Sequence, residues 1–508
     1  MSKTDTLFEL VSSLSTAEKR YIGVFSKKHQ VNDYLNLFGK VSTQAKKIKK
    51  NTGENSKNLK RLKINSSEKN YIYSFILKAL RSFHESRNVD IAIREMLINA
   101  GLLLEKRLFK QSLKMLQRAK KQVMGFDRHL LLAEIIQMEI QVIVEISGKD
   151  ALLHFDSLTE AFGSVIGLYP NELAAASLQQ RIRLLQRRHE RLPQSKQWKY
   201  SEQLDSLLAL AKSTRNFSLL HNSLFARAMF NHSLGRFAGS AAVYEELIAL
   251  WETRPDRIRG ENMLFKKIIF NYLIACHRLE RFDVYPPMIG RIRAIPCTNT
   301  EEEAEQFQNL QMMELLLLMN TDGYDQLPRI EAEISAGLRQ YRNKINKAHE
   351  LAFYHNIAMA HFLCEDWKSS MGWIEKIMLE KKSQQRIDLQ CFARLLRLVL
   401  WYETGKYDLL EYETINAQRY LRKNGGWTVF ESTVTKLVAR LPAIPAEEKP
   451  VLFRKAFHQL QKIKENTETA GVPGLDELIC WMQSHLEGIT IREVMKIENN
   501  KSVPGSKK

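Results

Sequence analysis

Glycine and proline are scarce in this chain of 508 residues, which has 22 glycines and 12 prolines. Average usage is about 7% for glycine and about 5% for proline. So few chain breakers over such a length predict long helices joined by short turns. No stretch combines sustained period-two alternation with turn dipeptides, the pattern of strands. Hydrophobic residues make up 44% of the chain, enough for a continuous core. We therefore expect an all-α protein.

Cysteine is also rare, and no two cysteines have C-x-x-C spacing. The five cysteines are Cys276, Cys297, Cys364, Cys391 and Cys480. An odd, scattered set is typical of reduced core thiols and not of a disulfide framework. The N-terminus lacks the apolar region and cleavage site of a secretory signal. No apolar run reaches the roughly 18 residues of a membrane span. These features predict a cytoplasmic protein that does not cross a membrane.

Familiar catalytic motifs are missing from the sequence. The Gly-Lys pairs lack the earlier glycine of a phosphate-binding loop, and G-x-G-x-x-G, H-E-x-x-H and G-x-S-x-G do not occur. His349, His355 and His361 recur every six residues. On a helix this spacing rotates each residue about 240° from the one before, so the three do not converge as zinc ligands must. We predict no enzyme activity, no metal, no cofactor and no small-molecule substrate.

A turn followed by an aromatic residue recurs along most of the chain. The aromatic residues are Phe109, Phe237, Phe282, Tyr324, Trp367 and Tyr407. The last five are separated by 45, 42, 43 and 40 positions, and the step from the first to the second is 128, close to three such units. A fixed period of about 42 residues predicts a helical solenoid, an architecture that usually serves as a binding surface.

Three of these units have small residues nine positions before the aromatic and three positions after it. The pairs are Ala100 and Ser112, Ala228 and Ser240, and Ala358 and Ser370. Small side chains let two antiparallel helices approach closely where they cross. The units at Phe282, Tyr324 and Tyr407 have Leu or Tyr at these positions, and we interpret them as degenerate copies.

The best units resemble the tetratricopeptide repeat. The resemblance rests on Asn99-Ala100, Phe109 to Ser112, Leu116 and Ala119 in one unit, and on Ala228, Gly235 to Phe237, Ser240 and Tyr244 in another. It covers roughly residues 91–440. The family repeat has 34 residues, so each helix here would be longer by about one turn, 5.4 Å. The resemblance implies a right-handed α-solenoid of antiparallel helix pairs, with HEAT-type units as the alternative.

In tetratricopeptide-like arrays the first helix of each pair lines the concave face. Carried over to the matching positions, this implies a groove lined by Leu97, Phe225, Met229, Met312, Leu316, His355, Met359 and Phe362. Chaperone-binding members hold a peptide carboxylate with Lys and Asn at such places, and those residues are absent here. A lining of Met and aromatic residues suits an apolar peptide or an amphipathic helix. The alternative is that this stripe is ordinary core.

We predict four segments along the chain. They are a basic helical head at 1–90, the repeat array at 91–440, capping helices at 441–497 and a disordered tail at 498–508. Ser15 and Glu18 have the spacing of a capping box at the start of the second helix of the head. We interpret residues 45–69 as a mobile loop or a short helix pair, and we expect a longer connection at 186–204.

The head also carries a resemblance of its own. Leu7-Phe8, Leu14-Ser15 and Glu18 to Tyr21, followed by Tyr71 to Arg81, are similar to the opening of a large set of uncharacterised bacterial helical-repeat proteins. This resemblance implies no activity.

Positive charge is concentrated near the N-terminus. The net charge is +19, and residues 1–90 contain 18 Lys and Arg against 8 Asp and Glu, so +10 of it lies there. The candidate basic patch comprises Lys46, Lys47, Lys49, Lys50, Lys60, Arg61, Lys63, Lys110, Lys114, Arg118, Arg183, Arg187 and Arg191. Phosphate contacts from these residues would give salt-dependent binding without sequence specificity. A solubilising surface is the alternative.

Two functions are compatible with these features. The first is a non-catalytic scaffold or adaptor that binds a protein partner, as a peptide or helix, in an apolar concave groove. The alternative is a nucleic-acid-associated regulator in which the basic head and the Arg and Lys stripes bind phosphate while the solenoid acts as a sensor.

Overall fold

Helices form all the regular structure in the computed structural model. It describes residues 3–28, 39, 43, 66–84, 89–187, 194–342, 344–380, 386–465 and 472–502, and these contain no strand. The predicted all-α class is therefore confirmed. Among the described helices, none has both the length and the apolar character needed to cross a membrane. The chain divides into two compact units, Met1–Ala275 and Cys276–Lys508.

The first unit contains eleven described helices and most of a twelfth. They are α1 (Lys3–Ser13), α2 (Thr16–Lys28), α3 (Ser66–His84), α4 (Val89–Glu105), α5 (Phe109–Met124), α6 (His129–Ile146), α7 (Ala151–Arg187), α8 (Gln194–Thr214), α9 (Phe217–Ser233), α10 (Phe237–Glu252), α11 (Pro255–Gly260) and α12 (Asn262–His277). From α4 to α7 each helix packs on the next, and α9 packs on α7 as well as on its neighbours α8 and α10.

The second unit continues with eleven described α-helices. They are α13 (Tyr285–Ala294), α14 (Thr300–Asn320), α15 (Leu327–Gln340), α16 (Lys347–Leu363), α17 (Trp367–Met378), α18 (Ile387–Glu403), α19 (Tyr407–Lys423), α20 (Val429–Arg440), α21 (Lys449–Glu465), α22 (Leu475–Glu487) and α23 (Ile491–Ser502). Successive helices from α14 to α23 pack against one another, so neighbours in sequence are neighbours in space.

Each of the six aromatic residues of the repeated pattern is the first residue of a helical element. The residue two positions earlier always has a left-handed backbone: Arg107, Gly235, Glu280, Asp322, Glu365 and Gly405 have φ between 55° and 73°. The N–H of the residue just before the aromatic donates to the carbonyl five residues further back, at 2.9 to 3.0 Å in all six turns. This is the closing bond of a Schellman motif, which ends the first helix and redirects the chain.

The aromatic ring packs across its own turn onto the preceding helix. In four units it meets a ring five positions earlier: the centroids of His232 and Phe237 lie 5.1 Å apart, and those of Phe362 and Trp367 lie 5.4 Å apart. His277–Phe282 and Tyr402–Tyr407 repeat the contact at 5.8 and 6.0 Å. The aromatic residue therefore fixes the angle at which the chain leaves the turn.

The small residues of the three best units form the same hydrogen bond three times. The hydroxyl of the serine donates to the carbonyl of the alanine twelve positions earlier, at 2.8 Å for Ser112 and Ala100 and at 2.9 Å for the other two pairs, Ser240 with Ala228 and Ser370 with Ala358. All six residues are fully buried. Close helix approach at these positions is therefore confirmed, with a polar bond that the pattern did not predict.

Two degenerate units differ at the start of their second helix. The residues after Phe282 and Tyr324 form one turn of 3-10 helix, and the α-helices follow at Tyr285 and Leu327. A proline stands in the first turn of each of these helices. Proline suits a first turn because its missing N–H would have no partner there.

The capping box predicted for the head is confirmed. The Ser15 N–H donates to the Glu18 carboxylate at 2.7 Å, and the Glu18 N–H donates to the Ser15 hydroxyl at 3.2 Å. Glu18 also contacts His84 at 2.9 Å, which ties α2 to α3. The segment interpreted as a loop at 45–69 lies outside the described residues as far as residue 65, and α3 starts at Ser66.

Two boundaries differ from the prediction. The connection expected at 186–204 is shorter, because α8 already begins at Gln194 and continues through 204. At the C-terminus, α23 extends through Ser502, so it includes the first residues of the tail predicted to be disordered. Residues 503–508 lie outside the described residues.

Candidate functional site

Most residues predicted to line a concave groove lie in the helix packing. Leu97, Phe225, Met229, His355, Met359 and Phe362 are all buried, the last two completely. Met312 and Leu316 keep part of their surface exposed. The six buried side chains fill the space between helices, where a partner cannot reach them without separating those helices.

His355 illustrates this burial. Its ring meets Phe392 edge-on, with centroids 5.3 Å apart. Burial lowers the pKa of His355 to about 4, so the side chain is neutral near pH 7. His361 of the same series has polar partners instead: it contacts Glu331 at 2.8 Å and Asp366 at 3.2 Å. Within the described residues no group of His, Cys, Asp and Glu could hold a metal ion.

The candidate basic patch is only partly described. Lys110, Lys114 and Arg118 are exposed on one face of α5, and Lys121 continues that face one turn further. Arg183 lies on α7 and is half-buried. The side chain of Arg187, together with Arg191 and the seven head residues Lys46, Lys47, Lys49, Lys50, Lys60, Arg61 and Lys63, lies outside the described residues.

An open apolar cleft lies between α5, α6 and the start of α7. We call it the α5–α7 cleft. Its volume is about 640 Å³, within the range of small-molecule and peptide pockets. Its apolar lining consists of Leu113, Met124, Ile143, Ile146, Ala151 and Leu158.

The α5 helix is strongly amphipathic, and this determines which of its residues line the cleft. Ser112, Leu116, Ala119 and Val123 are buried, with the spacing of one helical face. Leu113 and Met124 lie beside this buried face and line the cleft. The exposed cations occupy the remainder of the helix surface, so apolar and basic side chains adjoin along one edge of the cleft.

A tight turn between α6 and α7 forms one end of the cleft. Ser147 has a left-handed backbone, with φ of 48° and ψ of 44°, and its N–H donates to the Ile143 carbonyl at 3.2 Å. Gly148 follows, and its carbonyl accepts from the Ala151 N–H at 3.0 Å, which opens α7. The turn brings Lys149 and Asp150 to the rim.

The charge balance at the rim is basic. Lys120 donates to the buried Glu139 carboxylate at 2.6 Å, so these two charges compensate each other. Lys121 and Lys149 are exposed and form no ion pair with any residue that the structure describes. Asp150 is the one further carboxylate in the lining. Lys110, Lys114 and Arg118 extend the positive surface along α5.

The first half of α7 is poorly covered. From residue 151 to residue 171 no side chain is buried, and the first buried residue is Glu172. Leu152 and Leu153 are 80% and 71% exposed. A helix with large apolar side chains and no buried residue over this length presents an uncovered surface of the kind that marks interaction sites.

Ion pairs hold the start of α6 against the middle of α7 and against neighbouring elements. Arg128 bridges Asp90 at 3.0 Å and Glu261 at 2.8 Å. His129, the first residue of α6, contacts Glu172 of α7 at 2.8 Å. The hydrogen bond that the His129 ring donates to the Glu172 carboxylate raises the pKa of His129. The contact thus joins the start of α6 to α7, while the cleft lies where α6 ends and α7 begins.

The cleft lining lacks a recognisable catalytic arrangement. His154 is its one imidazole, and it lies exposed beside Ser157. No hydrogen bond joins the side chains of His154, Ser157 and Asp150 in the structure as described. The arrangement offers apolar contact area with a basic edge.

Comparisons of the chain with protein-family models, with curated proteins and with solved structures gave no match.

One signal in the sequence marks α6 as unusual, although it does not locate the cleft. The sequence of α6, HLLLAEIIQMEIQVIVEI, has apolar residues on more than one face. Leu131, Ile135 and Val142 are buried, whereas Val144 and Ile146 are exposed. A helix that is apolar all round is expected to be covered on more than one side. The exposed apolar residues Val144 and Ile146 therefore leave part of the apolar surface of α6 uncovered.

Proposed function

We propose that this protein is a cytoplasmic, non-catalytic interaction protein with the architecture of a right-handed, tetratricopeptide-like α-solenoid. Three serine–alanine bonds at identical spacing and six turns with the same closing bond support a repeated helix–turn–helix unit. Repeat arrays of this kind commonly present extended surfaces to other proteins.

The α5–α7 cleft is the proposed binding site, and the observation that carries this proposal is its apolar lining beside unpaired lysines. Partners that lay an amphipathic helix into an apolar groove use residues at positions i, i+3, i+4 and i+7 as anchors. Met124 suits such a site because its flexible thioether adapts to the side chain that it meets. We therefore expect the partner to insert apolar side chains between α5 and α7.

The charge of the rim selects among such partners. Lys121 and Lys149 lie at the edge without an ion pair among the described residues, and the cations of α5 continue the positive surface. Acidic residues flanking the apolar anchors would meet these lysines, which speeds association and disfavours basic partners. The proposed partner is accordingly an amphipathic helix whose polar face carries Glu or Asp.

A pair of designed peptides tests this proposal. The first is a fluorescein-labelled helix about five turns long, with Leu at the anchor positions and Glu on the polar face. The second has Lys in place of every Glu. We expect the acidic peptide to bind at least about tenfold more tightly than the basic one, measured by fluorescence anisotropy at moderate salt.

Variants then locate the site. Met124→Glu and Ile146→Glu place carboxylates in the cleft, and each should weaken binding of the acidic peptide by about tenfold or more. Ile98→Glu and Leu102→Glu, on the exposed side of α4, are the matched controls and should leave affinity unchanged. The proposal would be wrong if the cleft variants and the control variants lost equal affinity for the acidic peptide, or if the two peptides bound equally well.

The predicted alternative, nucleic-acid association through the head and the α5 stripe, is favoured by one observation. Lys110, Lys114, Arg118 and Lys121 are all exposed on one helix face. A K110Q/K114Q/R118Q variant distinguishes the two functions. Loss of oligonucleotide binding with retained peptide binding would favour the alternative, whereas a small loss of peptide affinity alone would fit a steering role.

A further inference from the structure

A second cleft, in the unit Cys276–Lys508, lies between α20 and α21. We call it the α20–α21 cleft. Its volume is about 740 Å³. Trp427 stands at one end, Leu437, Leu452 and Ala456 form the apolar lining, and Arg440 lies at the other end of α20.

Two glycines place Trp427 at the mouth of this cleft. Gly425 ends α19 with φ of 73°, and the Gly426 N–H donates to the Leu421 carbonyl at 2.9 Å. A Cβ at Gly426 would lie 2.7 Å from the Cys391 sulfur, closer than real contacts allow. Glycine at this position lets the chain pass close to Cys391, and the turn places Trp427 two residues before α20.

The Trp427 ring is half-buried and lies next to a cation. The guanidinium carbon of Arg422 is 5.3 Å from the ring centroid, in the range of a cation–π contact. The nearest carboxylate in sequence, Glu431, is engaged in the capping box of α20 and accepts from the Thr428 N–H at 2.9 Å. Its carboxylate is therefore hydrogen-bonded at the start of α20, and Glu431 does not line the cleft.

Three cations line the cleft without a carboxylate among the lining residues. Lys436 and Arg440 are four residues apart on α20, which is about 6 Å of helix rise on one face. Lys455 faces them from α21. All three are exposed, and none forms an ion pair with a residue that the structure describes. Ser432 and Gln459 add groups that can donate and accept hydrogen bonds.

We propose that the α20–α21 cleft binds single-stranded nucleic acid. Sequence-tolerant binding of a single strand combines a positive groove for the backbone with an aromatic ring on which a base stacks. The three cations supply the first element and Trp427 the second, within one continuous lining. An acidic peptide would contact the cations, but it has no group that needs to stack on the aromatic ring beside them. The inference is independent of the peptide site in the other unit.

The experiment uses the full chain with fluorescein-labelled oligo(dT) and oligo(U) of about 15 nucleotides. Binding is measured by anisotropy across a salt series. Three phosphate contacts on a single strand predict that log K falls by about 2 per tenfold increase in salt. We expect K436Q/R440Q/K455Q to reduce that slope by about 2 and to weaken binding at low salt by at least about tenfold.

A second triple variant controls for net charge. R339Q/K368Q/K406Q removes three exposed cations that lie elsewhere in the same unit and outside the cleft lining. It lowers the net charge equally and should leave the slope unchanged. An equal effect of the two triple variants would overturn the proposal, because binding would then follow overall charge.

The tryptophan separates nucleic acid from an acidic peptide. Trp427→Ala should weaken oligonucleotide binding by about fivefold or more, and Trp427→Phe should restore most of it, since base stacking needs an aromatic ring. Poly-glutamate serves as a competitor of similar charge and should displace the oligonucleotide poorly. Displacement at equal charge concentration, or full binding by Trp427→Ala, would overturn the proposal in favour of an acidic protein segment.

Discussion

Arg492 of α23 donates to Asp322 across 170 positions of sequence, with the Nη2 and Nε atoms at 2.7 and 3.1 Å from the same carboxylate oxygen. Asp322 is the left-handed residue of one repeated turn, a position that glycine occupies in two others. The next turn repeats the arrangement, because Glu365 accepts from the Ile491 N–H at 2.9 Å. Carboxylates at these strained positions thus fasten the C-terminal helix.

The first prediction concerns this attachment. Burial favours a higher pKa for Asp322, but hydrogen bonds from Lys496 and Arg492 lower it on balance, so the ion pair exists at neutral pH. Both side chains keep about a third of their surface exposed, and such pairs contribute up to about 1 kcal/mol. Arg492→Ala should speed hydrogen exchange in α23 by up to about fivefold.

A double-mutant cycle provides the check. Arg492→Ala and Asp322→Asn should be non-additive in their effect on exchange from α23, because each removes the same contact. Arg454→Ala, at an exposed cation of α21 without a described ion pair, is the control and should leave α23 unchanged. Additive effects would show that the pair does not couple the helix to the turn.

The second prediction concerns the turns themselves. Glu280 has φ of 56°, and its side chain forms no hydrogen bond or ion pair with described residues. A residue other than glycine in this region costs about 1 kcal/mol. Glu280→Gly should therefore stabilise the second unit by several tenths of a kcal/mol up to about 1 kcal/mol in urea unfolding, after the entropy gained by the unfolded chain is subtracted.

Glu365→Gly is the matched comparison. It relieves the same backbone conformation but removes the acceptor of the Ile491 N–H, so the gain should be cancelled or reversed. Gly405→Ala should destabilise by about 1 kcal/mol because its φ is 69°. If Glu280→Gly and Glu365→Gly shift the urea midpoint equally, the carboxylate has no role in holding α23.

The repeated turns are the part of the structure that the sequence predicts best. The six aromatic residues and the Ala and Ser pairs located the helix starts and the close crossings, because turn and crossing geometry is local and residue-specific. Phe225, Met359 and Phe362 could not be assigned in the same way. A stripe of Met and aromatic residues at helical spacing occurs both in helices that face a core and in helices that line a groove. Only the packing of the neighbouring helices distinguishes the two cases.

The two clefts escaped prediction for a different reason. Met124 and Ile146 are the last residues of α5 and α6, and they meet because two turns bring separate helix ends together. Lys436 and Lys455 likewise come from different helices. Such juxtapositions depend on helix lengths and on how the turns orient neighbouring helices, neither of which a single-sequence pattern specifies. Trp427 and its glycines were visible, but their role required the contact with Cys391.

The third prediction tests the repeated serine–alanine bond. Ser240→Ala removes the hydroxyl that donates to the Ala228 carbonyl and should cost about 1 kcal/mol, since that carbonyl belongs to a helix and keeps its other partner. Ser240→Val adds bulk at a fully buried crossing and should cost about 2 to 3 kcal/mol. Urea unfolding followed by circular dichroism measures both.

A control at a degenerate unit sharpens this test. Leu410 occupies the position of the serine in the unit that begins at Tyr407, and it is buried. Leu410→Ser should therefore destabilise by at least about 2 kcal/mol, because removing the buried leucine side chain leaves a cavity. A Ser240→Val variant as stable as Ser240→Ala would show that the two helices have room to separate at this crossing.

The last prediction concerns acid sensitivity at His221. The Trp251 indole N–H donates to Nδ1 of His221 at 3.0 Å, so the imidazole is neutral. Burial, together with Arg257 and Lys267, lowers the pKa of His221 to about 3. The folded pKa lies below the unfolded value of about 6.5. The unfolded chain therefore binds the proton first, and the stability contributed by the neutral ring is present above pH 6.5 and is lost as the pH falls toward 3.

Between pH 7 and pH 5 this single group should cost up to about 2 kcal/mol of unfolding free energy. His221→Gln keeps an oxygen that can accept from Trp251 but does not titrate, so its stability should fall less on acidification than that of the unaltered chain. His154→Gln, at an exposed histidine of the same unit, is the control and should leave the pH dependence unchanged. Urea unfolding at several pH values measures the free energy of unfolding of each variant. Parallel pH profiles for the His221→Gln variant and the unaltered chain would mean that His221 does not cause the acid sensitivity.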